Sequence, residues 1–379
     1  MKNLKTYSLI LLSAYFLNSC ATDQDDYVET PIQSLLEKQV KEVAGSKSAL
    51  LLPDSDNFSA IPNDAKNAIT QAKVALGKML FHETMIGKDP KKEEGMNTYS
   101  CASCHHAAAG FQSGVQQGIG EGGIGFGTHG EGRLRSSIYL EDELDVQPIK
   151  SPSILNVAYQ ELMLWNGQFG AVGANIGSEA YWTAGTPKEA NTFGFEGVET
   201  QAIAGLDVHR LKIQKDFIVN SSYKALFDAA FPNVAEQERY TKMNAALAIA
   251  AYERTVLSNE APFQKWLKGD KAALTEGQKR GAMIFLGKGN CSNCHKGTSF
   301  GDMSFFALGT NDLAQISTAV NTSVEDKRNL GRGGFTGNSA DNYKFKVPQL
   351  YNLKNYSHFF HGSSKESLED VIEFKLKAV

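Results

Sequence analysis

The chain has little cysteine. Five occur in 379 residues, four of them in two closely spaced pairs, so no disulfide framework of the kind that staples small secreted domains is on offer. A long apolar run is also missing. Residues 9–17, behind Lys2 and Lys5, are too few to span a bilayer and read as an export signal. Positive charge is not in excess, with 38 Lys and Arg against 42 Asp and Glu, which argues against nucleic acid as a partner. No β-rich stretch of any length stands out, and a mainly α fold is expected. At 42% hydrophobic and 21% charged residues, disorder and fibre are excluded and two or three domains can each bury a core.

What the chain does have is Cys101-Ala102-Ser103-Cys104-His105. A C-x-x-C-H run is the attachment signature of a c-type haem: two cysteines three apart reach the vinyl groups from one helical turn, and the adjacent histidine meets the iron. A single copy would leave a zinc half-site or a thioredoxin-like pair open. The second copy, Cys291-Ser292-Asn293-Cys294-His295, closes them, and two covalent haem c groups are expected with His105 and His295 as iron ligands. The signal ends Leu17-Asn18-Ser19-Cys20, similar to a bacterial lipobox. Cys20 would then carry a lipid anchor, the only membrane contact; the alternative is an ordinary signal with a stray cysteine. Either way the protein is expected outside the cytoplasm, as a periplasmic or cell-envelope lipoprotein in the first case, and export agrees with covalent haem attachment.

Residues 1–20 are read as the signal and 21–55, with Asp23, Asp25, Asp26 and Glu29 close together, as a polar tether. Apolar positions Ile69, Ala72, Leu76, Met79 and Leu80 predict a helix over 64–81 starting after Pro62 and Asn63. Gly77-Lys78-Met79-Leu80-Phe81 before the first motif echoes Gly281-Ala282-Met283-Ile284-Phe285 before the second, as two related units would. Thr275 and Gln278 form a capping-box pattern. The glycine-rich segment 114–132 lacks the G-K-[ST] of a phosphate loop and reads as a flexible loop carrying His129. Further helices are expected over 223–231, 235–258 and 367–377. A boundary near 259–272 divides an amino-terminal haem domain (56–260) from a carboxy-terminal one (261–379).

With both motifs placed, the chain resembles the bacterial dihaem cytochrome c peroxidases, the family that includes the MauG-type enzymes. The stretches that carry the resemblance run in the family's order: Leu76-Gly77-Lys78-Met79-Leu80-Phe81; Ser151-Pro152-Ser153-Ile154-Leu155-Asn156-Val157-Ala158; Trp165-Asn166-Gly167-Gln168; Ala248 through Val256, including Tyr252-Glu253-Arg254-Thr255; Phe345-Lys346-Val347-Pro348-Gln349-Leu350-Tyr351-Asn352; and Phe359-Phe360-His361-Gly362. The resemblance implies two cytochrome-c-like domains and reduction of hydrogen peroxide at the amino-terminal haem. Electrons would come from a small cytochrome c or cupredoxin through the carboxy-terminal haem. Within it, His129 matches a distal ligand that caps the first iron and Trp165 a tryptophan between the haems. Gln201 matches the distal glutamine. A homodimer is possible.

Departures from the family pattern bear on function. The distal glutamate, ten residues after the glutamine, is replaced by Leu211, which leaves His209, with Arg210 beside it, or Glu199 for the proton work. Trp165-Asn166-Gly167-Gln168 stands for the usual W-D-G-R. Lys150 and Tyr356-Ser357-His358 replace residues of the family's calcium site, so calcium is doubtful. The family continues past Val379, and the sixth ligand of the second haem falls at Lys375, with Met303, another residue or none as alternatives. Two other functions compete: a MauG-like oxidase acting on a partner protein, and a non-enzymatic dihaem electron carrier.

Overall fold

The computed structural model describes residues 31–377; the signal, Cys20 and the start of the polar segment lie outside them. The described α-helices of six or more residues are α1 (Pro31–Ala44), α2 (Gln71–His82), α3 (Gly197–Val208), α4 (Tyr223–Ala230), α5 (Lys242–Arg254), α6 (Pro262–Leu267), α7 (Glu276–Leu286) and α8 (Leu368–Lys377), joined by long loops with short helical segments, Glu236–Arg239 among them. The fold is mainly α. Two short antiparallel pairs interrupt it: β1 (Gly123–Ile124) with β2 (Leu134–Arg135), and β3 (Asp302–Ala307) with β4 (Lys344–Val347). The second pair joins segments far apart in the chain, a pairing that local alternation does not announce.

Helix α2 begins later than its apolar pattern suggests. Thr70 Oγ1 accepts from the Lys73 N–H at 3.2 Å, whereas Asp64 turns its carboxylate to the amides of Lys66 and Glu196, each at 2.7 Å. The capping box at Thr275 forms as expected, through Gln278 Oε1 at 2.9 Å and Thr275 Oγ1 at 3.3 Å. The helix expected over 235–258 is broken in two, because Thr241 Oγ1 caps the Asn244 amide at 3.3 Å and starts α5 afresh.

One core lies between α2, α3, α4 and α5, with Leu76, Leu80, Phe81, Val198, Phe227, Ala248 and Ile249 inside. Gly77 makes the α2–α5 crossing possible: a Cβ there would sit 1.9 Å from the Ala248 carbonyl oxygen. A second core gathers Leu36, Val40, Leu50, Trp266, Leu267, Leu274 and Leu286. This corrects the tether. From residue 31 onward the segment is a helix packed on α7, and Gln33 Oε1 accepts from the Trp266 indole at 3.0 Å. Apolar Leu36 and Val40, spaced to one helical face, outweigh the polar composition around them.

Candidate functional site: two adjoining cavities

Each C-x-x-C-H run sits on a single helical turn, Cys101–Ser103 and Cys291–Asn293, and the two histidines are held alike. His105 Nδ1 lies 3.1 Å from the Phe111 carbonyl oxygen, and His295 Nδ1 lies 2.9 Å from that of Phe300. Donation from Nδ1 fixes the tautomer and leaves Nε2 with its lone pair for a metal. Burial pushes His105 down to about 4 and lowers His295 too, so both rings are neutral at pH 7. Phe81 packs at 6.4 Å from the His105 ring and Phe285 at the same 6.4 Å from His295, which gives the sequence echo a structural meaning.

His105 faces a cavity walled also by Cys101, Cys104 and Trp165. His295 and Cys294 face a second; Cys291 stands exposed. Lys150, Pro152, Met163, Leu164 and Trp165 line both. Paired free thiols, a neutral imidazole with Nε2 open and a largely apolar hollow beside them fit a covalent haem c in each.

Helix α3 and the residue that caps its end add Gln201, Gly205 and His209 to the lining of the first cavity at four-residue spacing. His209 Nδ1 lies 3.0 and 3.1 Å from the two carboxylate oxygens of Asp145. Burial alone would lower the histidine, but the charge and hydrogen bond of Asp145 outweigh it and raise its pKa. Space for the Asp145 carboxylate depends on Gly120, where a Cβ would be 2.1 Å from Oδ2. Asp145 was not singled out from sequence. It ends an acidic run that reads as a solvated face, and no local signal ties it to His209.

Three expected site residues are elsewhere. Glu199 is fully buried on the far side of α3, bound by Arg254 at 2.6 and 2.9 Å and by Asn67 at 3.1 Å. Two residues from Gln201 is roughly 200° around a helix, so both cannot face one cavity. Arg210 turns away to the buried carboxylate of Glu121 and to the Glu143 carbonyl at 2.7 Å. His129 is exposed. The Thr128 and His129 amides donate to the Glu131 carboxylate, at 3.0 and 2.5 Å, in a turn between Gly127 and Gly130, both at positive φ. The rest of the glycine-rich segment is less free than its composition suggests, since buried Arg133 ties it to the carbonyls of Ile119 and Gly120, both at 2.5 Å.

Two further groups in the first cavity are unpaired. Glu253 Oε2 has no hydrogen-bond partner among the described residues, and burial pushes its carboxyl up to about 8. Lys150 Nζ is likewise without a partner. In the second cavity Lys375 lies within the lining, with Nζ 5.5 Å from the centre of the Phe360 ring; Met303, on β3, does not line it. No group of three or more His, Cys, Asp or Glu that could hold a metal ion occurs among the described residues.

Two cysteine–histidine cradles opening on adjoining cavities in a helical fold define a dihaem c-type protein. The family model for di-haem cytochrome c peroxidase matches residues 71–272, more than half of the chain, and the chain belongs to that family. It is 27% identical over 339 residues to methylamine utilization protein MauG of Methylorubrum extorquens, covering 89% of this chain and 76% of that one. It is also 27% identical over 325 residues to cytochrome c peroxidase Ccp of Escherichia coli, covering 86% of this chain and 57% of that one. Among solved structures, a MauG-like protein associated with microbial copper homeostasis superposes with a TM-score of 0.54 over 85% of this chain and 80% of that one, at 21% identity. That likeness bears on the fold.

Proposed function

We propose that this protein reduces hydrogen peroxide to water with electrons that enter from a small cytochrome c or cupredoxin. The observation that carries the reading is the Asp145-backed His209, which lines the same cavity as Gln201 and His105. Cys101, Cys104 and His105 would hold a haem whose iron would supply the redox chemistry for peroxide, and Cys291, Cys294 and His295 would hold one that would supply electron transfer from the donor. Reduction takes two electrons and two protons and releases two waters. His209, donating Nδ1–H to Asp145, presents Nε2 as the base that takes a proton from the incoming peroxide. The same nitrogen returns it to the departing oxygen. Gln201 orients peroxide by hydrogen bonds, and Gly205 between them leaves the space. The work assigned to the expected glutamate thus falls to His209, with Asp145 holding the imidazole as the carboxylate of a catalytic triad does.

A second reading is favoured by Lys375. A hard amine rather than a thioether beside the second haem lowers its potential, and a low potential suits storage of oxidising equivalents for a partner protein, as in a MauG-like oxidase. Steady-state turnover with peroxide and a reduced small cytochrome tests the choice. Peroxide-dependent oxidation of the cytochrome supports the peroxidase; reaction with peroxide but no turnover favours the oxidase, and no reaction leaves an electron carrier. We further infer export and anchoring through Cys20. Cys20→Ala should release the protein from the membrane fraction, and wild-type protein already soluble after gentle lysis would contradict the anchor.

A further inference from the structure

Two lysines are buried beside the second cavity, and they differ in their partners and in their reach. Lys346 Nζ has acceptors within the chain, Gln160 Oε1 and the Leu162 carbonyl at 2.6 Å. Lys150, 2% exposed, has none among the described residues. Its backbone is held on both sides of the Cα. The Lys150 N–H donates to the His361 carbonyl at 2.8 Å, and its own carbonyl accepts the Trp165 indole N–H, also at 2.8 Å. The side chain therefore stays at the seam, among the few residues that line both cavities.

An ammonium has three donors and no acceptor capacity, and burying it unpaired is among the more expensive things a fold can do. Burial without a partner pushes the Lys150 amine down to about 7, and an anion held in those cavities would keep it charged. Haem c carries two propionate carboxylates on the edge away from its thioether links, and these are the anions available. We propose that Lys150 is the anion-pairing residue between the two haems: its ammonium binds a propionate at the seam and holds one positive charge next to both redox centres. This rests on the dihaem reading. Lys150 is a positioning and potential-setting residue, since it touches the haem periphery and not the reacting oxygens. The contrast with Lys346 supports the assignment: both lysines are buried, but Lys346 has acceptors in the chain and lines the second cavity alone, whereas Lys150 has none among the described residues and lines both.

The test uses the full holoprotein with Lys150→Met, which keeps the stem and removes the charge, and Lys150→Arg, which keeps the charge. Alkaline pyridine spectra first count haems; fewer than two per chain in the wild type would remove the dihaem reading and not this inference alone. Spectroelectrochemical titration then reads both midpoints. Loss of a nearby positive charge favours the oxidised state, so both midpoints should move to more negative potential in Lys150→Met and stay near wild type in Lys150→Arg. Unchanged midpoints in Lys150→Met overturn the proposal. Where Lys150→Met does not fold, resonance Raman of wild type and Lys150→Arg in the propionate-bending region decides. A shifted band for at least one haem supports the pairing, and identical spectra overturn it.

Discussion

His209 Nδ1 lies 3.0 Å from Asp145 Oδ2, across 64 residues of chain, and that contact aims the second ring nitrogen at the cavity that His105 faces. Its raised pKa, produced by Asp145 against the opposing effect of burial, has a direct kinetic consequence. The base form of His209 is lost as pH falls through a value above the usual histidine 6.5. Peroxide turnover should therefore decline on the acid side of that value. Asp145→Asn should move the limb to lower pH and slow the reaction, and His209→Gln should abolish the limb with a loss of about 10²- to 10⁴-fold. A pH profile of kcat/KM unchanged in both variants would take His209 out of the mechanism.

Glu199 and Arg254 are expected to govern stability. Breaking a buried ion pair by removing one partner costs about 3–5 kcal/mol, and both side chains are fully buried. Glu199→Gln should lower the melting temperature markedly while the folded fraction keeps its Soret spectrum and its rate with peroxide. A slowed reaction without loss of stability would restore Glu199 as a catalytic candidate.

Glu253 introduces a pH dependence of the opposite sense to that of a paired carboxylate. Burial raises its carboxyl to about 8 against 4.5 in the unfolded chain. Between those values the unfolded chain is charged at this position and the folded one is not, so stability is whole below pH 4.5 and falls as pH rises toward 8. Glu253→Gln should flatten this fall and be more stable than wild type at pH 8, by on the order of a few kcal/mol and with a higher melting temperature, with little difference at pH 4.5. Equal melting of the two proteins at both pH values would contradict it.

The exposed position of His129 leads to a spectroscopic expectation. With its loop held by Glu131 and turned to solvent, the first haem should be high-spin and peroxide-reactive in the oxidised protein, and His129→Gly should leave both properties unchanged. A low-spin bis-histidine signal that disappears in His129→Gly would show instead that the glycines let the loop swing in and cap the iron.

Much of this site was legible in local spacing, and the rest needed the third dimension. The haem cradles follow from three residue types at fixed intervals, and the matched positions of Phe81 and Phe285 follow from the echo ahead of them. Helix phase alone would have separated Glu199 from Gln201 and paired Gln201 with His209. The partner of His209 was not legible, because Asp145 reaches it only through the folding of the glycine-rich segment around Arg133. Helix α1 was hidden by the acidic cluster before it, although Leu36 and Val40 already carried the spacing of a buried face. The β3–β4 pair is set by tertiary contact, and nothing within either segment selects the other.

The most direct test of the central claim is rapid mixing of hydrogen peroxide with protein whose second haem alone is reduced, following the Soret band and residual peroxide together. Peroxidase function predicts that peroxide disappears in a burst limited by the electrons stored, and continuously once a reduced small cytochrome is supplied, with both phases slowed in His209→Gln. Protein that leaves peroxide untouched in the oxidised, half-reduced and fully reduced states would contradict the account.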